Sequence, residues 1–525
     1  MGKALLTIIL FLGSGILLAQ AASSQIDALA HYGLGAFYEI RGDLKGAVKE
    51  YKKARRLDPS NPQIERSLAA MYLSSGNHKK ALAHLKRYKD LVPEDPESHR
   101  MLASLYIASG SLEKAIQELL EAARLNPQNI ETHYILGTIY DLQNRFEEAI
   151  IAFKKVLELD PSSSHVYFNL GALYVKTERI PEAIESFEKT LDLDPNDSKA
   201  LFALASLYEI KGEKEKAEDF FKRGLSLDPD DLSVRKRLAQ IYLDKNQLDL
   251  AEAAIKEIID RSPEDLRAHF ILANIYLDQG KTLLAIQELK RTIDLNKEFV
   301  LGYVHLAHAY ALNNEYDQAI TSIRQAIELD PGKAGAWLLL GLILSTANRF
   351  EEAVPAFKKT IELDIENDTA YYRLGIAYDK TGQFEEAIDA FSKTIGLNPE
   401  AADAYNYLGY LYAERGIKLD EAIELVKKAL EIEPNNGYFI DSLGWAYYQK
   451  GQLDEAIIKL EEAIALVKDD YIIWEHLGDA YYRKTRLKDA VLAWGKSYEL
   501  GNKSKDLEEK LREAKERLAQ EEKGE

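Results

Sequence analysis

Small, aromatic and polar positions return along this chain with a single period. Ala47 lies in the helical stretch Asp43-Leu-Lys-Gly-Ala-Val-Lys-Glu-Tyr51, and alanine returns 34 residues later at Ala81. The same step gives Ala115, Ala149, Ala183, Ala217, Ala251, Ala285, Ala319, Ala353 and Ala387; after one inserted residue come Ala422, Ala456 and Ala490. A tyrosine normally stands nine residues before the alanine, as at Tyr38, Tyr72, Tyr140 and Tyr378, and only Leu344 breaks that series. Three residues before the tyrosine the chain carries Gly or Ala, as at Gly35, Ala69, Gly137 and Gly375. A proline usually follows the alanine by twelve, with Lys297, Ile365 and Lys468 as substitutes.

This pattern predicts two antiparallel helices per unit. Small residues belong where the helices come closest. The tyrosine and an aromatic four residues after the alanine (Tyr51, Phe153, Phe187, Phe221, Phe357, Phe391) fill the space beside that contact. Proline ends the second helix because it has no N–H to continue the ladder. A 34-residue period with these positions resembles the tetratricopeptide repeat (TPR) family, over roughly residues 26 to 503. The resemblance implies an all-α solenoid, a right-handed superhelix of about 14 helix-turn-helix repeats closed by a C-terminal capping helix.

Taken in order, residues 1–21 read as a signal peptide: Lys3, an apolar run from Ala4 to Leu18, then the small-x-small pattern Ala19-Gln20-Ala21. The run is nearly long enough to span a membrane, so an uncleaved anchor, with membrane association through it, is the alternative. Residues 22–27 form a polar lead-in, 28–503 the repeat array and 504–525 a capping helix and charged tail, with Leu507, Leu511, Ala514 and Leu518 on one stripe. Joints such as Asp58-Pro-Ser-Asn-Pro62 and Asn126-Pro-Gln-Asn129 place an Asp or Asn to cap the next helix. Repeat ten departs most, with Leu344, Pro355 in its second helix, and Gly332 and Gly335. Repeat twelve carries one extra residue in the turn from Glu414 to Asp420.

The net charge of −19 argues against nucleic acid, which needs a basic footprint. The absence of cysteine excludes disulfides, Cys-type zinc sites, cysteine nucleophiles and an N-terminal lipid on cysteine. Of the ten histidines only His305 and His308 are close enough on one helix to share a ligand, and no acidic third ligand is nearby. Carboxylate pairs such as Glu351-Glu352 and Glu385-Glu386 open second helices, where the positive helix end favours them. No cofactor and no catalytic residue are expected, and a metal-dependent or hydrolytic enzyme using the two histidines is the rival from another class.

In the family, first helices line the concave wall and their outward positions carry specificity. Those positions are mixed and often polar in repeats three to eight (Arg100, Ser104, Thr138, Asp141, Lys199, Lys236). In repeats nine to thirteen they turn apolar and aromatic: Val304, Leu338, Leu342, Tyr372, Ile376, Tyr410, Trp445 and Tyr448, with His308 among them. An apolar patch of this extent, rich in aromatic anchors, reads as a partner-binding groove. The family's clamp for a C-terminal carboxylate is incomplete: Lys236 is in place, but Gln240 and Ile271 stand where Asn is required. Asp441-Ser-Leu-Gly-Trp-Ala-Tyr-Tyr448 and Trp474-Glu-His-Leu-Gly-Asp-Ala-Tyr481 resemble the ends of long exported bacterial TPR proteins. The expectation is an exported, periplasmic or envelope-associated scaffold that binds proteins or extended peptides. The alternative is an accessory subunit of envelope polysaccharide export or outer-membrane assembly.

Overall fold

The computed structural model describes the backbone of residues 23–524, so the expected leader lies outside the described residues. Among the described residues every regular element is a helix. The chain divides into two units, one ending at Lys245 and one starting at Asn246. The first holds six helix pairs, beginning with residues 23–40 and Leu44–Leu57, followed by the first helix of repeat seven, Leu232–Asp244. The second begins with Leu248–Arg261, holds the pairs of repeats eight to fourteen and ends with Lys505–Gly524. The helical register matches the 34-residue period throughout. One boundary moves: the opening helix starts at residue 23 and takes in most of the predicted lead-in. With no earlier repeat in the described chain to cover it, this helix exposes Leu34, Phe37 and Ile40.

The periodic alanines Ala47, Ala149, Ala319 and Ala387 are wholly buried. The small residue on the first helix, however, faces the side chain four residues past the alanine rather than the alanine itself. A Cβ built on Gly137 would lie 2.8–2.9 Å from the Phe153 ring, and one on Gly375 would lie 2.7–2.9 Å from Phe391. Gly171 meets Phe187 and Gly478 meets Trp494 in the same way. Where the first helix carries alanine (Ala69, Ala103, Ala273, Ala307), the facing position is Leu85, Leu119, Leu289 or Ile323. The two volumes trade against each other, as close packing requires. Ala205 opposite Phe221, Gly409 opposite Val426 and Gly444 opposite Leu460 are departures.

The periodic tyrosine also joins repeats. Its carbonyl accepts the N–H that opens the turn, as in Asn77 N to Tyr72 O at 2.8 Å and Arg145 N to Tyr140 O at 2.8 Å. Its ring lies under a lysine of the preceding repeat's second helix, with Lys154 5.9 Å from Tyr174 and Lys358 5.3 Å from Tyr378. The residue that reverses the chain between the two helices has positive φ; it is Gly in most repeats, Asn in several, Glu at 178 and Thr at 485.

Helix ends follow the local chemistry. Asn61, Asp95, Asn129 and Asp197 each accept a backbone N–H of the helix they precede. Proline is not what ends the second helices: with Lys297, Ile365 and Lys468 in its place they still stop in register, at Leu295, Leu363 and Leu466. Pro355 stands sixth in its helix, past the first turn, yet Phe350–Leu363 keeps the length of its siblings. Leu344 substitutes for tyrosine at 1% exposure, and its carbonyl still accepts Arg349 N at 2.8 Å. The extra residue of repeat twelve is absorbed by two left-handed residues, Gly416 and Lys418, and the following helix runs undisturbed from Leu419 to Ile432. The closing helix buries Leu507 and Ala514 against Leu477, Ala480 and Trp494, so it caps the last repeat as expected.

Candidate functional site

The predicted wall is built by the first helices of repeats nine to thirteen, from Val300–Leu312 to Gly437–Lys450. Val304, Leu338, Leu342, Tyr372, Ile376, Tyr410, Trp445 and Tyr448 are all half-buried, and only His308 is exposed. Val304, Leu338, Leu342, Tyr372 and Ile376 pack on the core of the unit with one edge free. Tyr372 rests edge-on against Phe391 at 5.8 Å. Its repeat position also carries Tyr134, Phe168 and Phe202 in the first unit, each paired with the aromatic of its own second helix. The aromatic character of that column is therefore not confined to the late repeats, which the sequence reading missed.

At the C-terminal end of the wall two predicted residues, Trp445 and Tyr448, come together with His476, which was not predicted. Trp445 stacks on Tyr448 at 4.8 Å and on His476 at 4.1 Å, and its indole N–H donates to Glu414. Beneath it, the buried His476 Nδ1 lies 2.9 Å from the carboxylate of Asp441, also buried. Burial works against a charged His476 ring, but Asp441, with Asp479 and Glu414 further off, outweighs it and raises the pKa. A cavity of about 290 Å³ opens beside this pair, lined by Asn406, Tyr407, Tyr410, Tyr438, Asp441, Ser442, Asp470 and His476 among others. Tyr407 donates to Asp379 at 3.0 Å. Burial, then the neighbouring acids, push both Tyr407 and Tyr410 well above the ordinary phenol range.

His305 and His308 do not converge on a third ligand. His305 is half-buried edge-on to Phe270 at 4.9 Å, and burial, followed by His308, lowers its pKa. Among the described residues no three His, Asp or Glu side chains gather to hold a metal ion. Several other histidines act as structural links. His31, His99 and His269 each reach a glutamate 19 residues on, with His99 to Glu118 at 2.7 Å and His269 to Glu288 at 2.6 Å. His99 and His269 also contact the carbonyl of Pro93 and Pro263, and Trp337 and Trp474 donate to the carbonyl six residues back in the same way. The recurring 19-residue His–Glu spacing was the sequence signal for these links.

A second cavity, of about 450 Å³, lies in the first unit among Phe168, Phe202, Phe220, Phe221 and Gly224. Gly224 lines it, and a Cβ there would meet only Leu201, at 4.0 Å. Among the described residues no helix is long and apolar enough to cross a membrane.

This architecture is that of a helical-repeat solenoid, a fold compatible with protein–protein interaction, and the comparisons place it in a family. Tetratricopeptide repeat models match residues 17–62, 174–231, 211–275 and 444–484. Models of the tetratricopeptide repeat protein 21 C-terminal ARM domain and of the cilia and flagella-associated protein 70 C-terminal domain match residues 43–200 and 256–437. The chain belongs to the tetratricopeptide repeat proteins. No curated protein matches it. Among solved structures, MamA is 31% identical, over 33% of this chain and 94% of that chain, with a TM-score of 0.31. The APC/C heterotetramer Cut9–Hcn1 is 16% identical over 94% of this chain and 99% of that chain, with a TM-score of 0.39. YrrB, described as a TPR protein with an unusual peptide-binding site, is 21% identical over 36% of this chain and 96% of that chain, with a TM-score of 0.32.

Proposed function

We propose that the chain is a non-enzymatic scaffold that holds extended segments of partner proteins along its first helices in repeats nine to thirteen. The observation that carries this reading is the row of half-buried apolar and aromatic side chains from Val304 to Tyr448. Each is fixed by packing on one side and open on the other. A rigid surface of this kind adds little ordering cost on binding, and aromatic anchors supply contact area. In-cell crosslinking of the tagged protein tests it, beside a Leu342→Asp, Trp445→Asp variant whose fold is checked by hydrogen exchange. Partners lost only from the folded variant are expected. Identical partners in both would move binding off this wall.

The leader pattern of residues 1–21 supports placement outside the cytoplasm, in the periplasm or at the envelope. Cell fractionation with N-terminal sequencing checks this, and cytosolic protein with Met1 retained would refute it.

A further inference from the structure

We infer that the cavity between the first helices of repeats twelve, thirteen and fourteen is a specificity pocket for an arginine side chain of the bound segment. This rests on the reading of the wall as a peptide-binding surface and names the partner's chemistry there. The cavity lies between Ala402–Glu414, Gly437–Lys450 and Tyr471–Arg483. At about 290 Å³ it is at the lower limit of small-molecule sites, a size suited to one side chain.

The lining asks for a donor. Asn406 Oδ1 is shielded from solvent and has no hydrogen-bond partner; such a group is costly unless a ligand satisfies it. Both carboxylate oxygens of Asp441 face His476 Nδ1, at 2.9 and 3.2 Å, and keep lone pairs for further donors. Asp470 caps its helix through Ile472 N and adds a second carboxylate to the rim. No lysine or arginine lines the cavity. The one basic side chain in the lining is His476, already engaged by Asp441. Glu414 and Asp379 sit behind Tyr410 and Tyr407, which deepens the negative character.

The walls favour a flat cation. Tyr407, Tyr410 and Tyr438 present rings to the space, and Tyr438 is 55% exposed at its mouth. A guanidinium stacks on aromatic faces and offers five donors in a planar fork, whereas an ammonium is a compact, strongly hydrated charge. Asn406, Asp441 and Asp470, the last just ahead of its helix, supply acceptors for such a fork. The surrounding wall would hold the rest of the segment in extended form.

Panning a phage-displayed random heptapeptide library against the full chain tests the assignment. Selected sequences are expected to be enriched in arginine at one position. Synthetic copies are expected to bind Asn406→Leu and Asp441→Asn at least about tenfold more weakly, as for loss of a charge-assisted hydrogen bond. Asn406→Leu leaves the net charge untouched, so its effect separates the pocket from general attraction to an acidic chain. Tyr410→Phe serves in place of Asp441→Asn if hydrogen exchange shows that variant unfolded. Selected peptides without arginine enrichment, or binding equally to the folded variants, would overturn the pocket while leaving the wall reading intact. A library that yields no binder sensitive to Leu342→Asp would overturn both.

Discussion

The exchange of volume between the small residue on the first helix and the side chain facing it can be measured in repeat four. Gly137→Ala places a methyl within 2.8–2.9 Å of the Phe153 ring, which is 2% exposed, so the ring or its helix must shift. Overpacking of this kind costs about 2 kcal/mol, and the gain in helix propensity from Gly to Ala offsets about 1 kcal/mol. The single variant is therefore destabilised by about 1 kcal/mol. Phe153→Leu loses ring burial and the edge contact to Tyr134 at 5.7 Å, for about 2 kcal/mol. The double variant recreates the Ala103 and Leu119 pairing of repeat three. With the clash gone it is expected to be only about 1 kcal/mol less stable than the parent, where additivity gives about 3, a coupling of about 2 kcal/mol. A repeat array does not unfold in two states as a whole, so the assay is native-state hydrogen exchange over Ile130–Leu142 and Phe146–Leu159. Effects that add within about 0.5 kcal/mol would refute the volume argument.

Thr485 holds φ at 60° with a β-branched side chain, so Thr485→Gly is expected to stabilise repeat fourteen by about 1 kcal/mol, read as slower exchange in Leu487–Glu499. Glu65 is wholly buried between His84 Nδ1 at 2.6 Å and Arg87 Nε at 3.1 Å; Glu65→Leu should cost about 3 kcal/mol in urea melts followed through repeat two, and an unchanged midpoint would contradict the pairing. Because the folded pKa of His476 is raised above its ordinary value, its pairing with Asp441 is fully stabilising below about pH 6.5. That stabilisation is lost as pH rises through the folded value, so exchange in Tyr471–Arg483, corrected for intrinsic rate, should quicken there and become flat in His476→Gln. Ala319→Trp, at a site with 0% exposure, should open the neighbouring pair in repeat nine, and unchanged melting would contradict the register.

The fold was legible because a stacked repeat writes each contact many times. Ala47 at one repeat and Ala387 at another occupy the same buried position, and the caps at Asn61, Asp95, Asn129 and Asp197 recur with the loop chemistry. What was misjudged follows from the same repetition. Proline looked like the stop signal because it recurs, but the helices before Lys297 and Ile365 end where the stack ends them. The candidate wall was legible only as positions. Sequence gives the face on which Leu342 or Tyr372 lies, but the half-burial depends on how far the next repeat's side chains overlap it. Asp441 and His476 are 35 residues apart, on different helices. Nothing local to either marks them as a pair until the repeats are stacked.

The one irregular step in the period lies next to that pair. Repeat twelve spends its extra residue on the left-handed Gly416 and Lys418, and the following first helix starts at Gly437. A Cβ there would come within 2.6 Å of Val467, so the missing side chain lets that helix end sit close on the second helix of its own repeat. The same helix lies against Ala402–Glu414 over a longer stretch than other consecutive first helices of the unit do. At the wall position held by Leu338 and Tyr372 in earlier repeats, these helices carry Asn406 and then Asp441. Asn406 and Asp441 interrupt the run Phe270, Val304, Leu338 and Tyr372, although the same column carries Arg100 and Lys236 in the first unit, and a buried acceptor left unpaired is destabilising for the stack itself. The arrangement makes physical sense as a recognition feature, in which the desolvation cost is recovered when a donor enters.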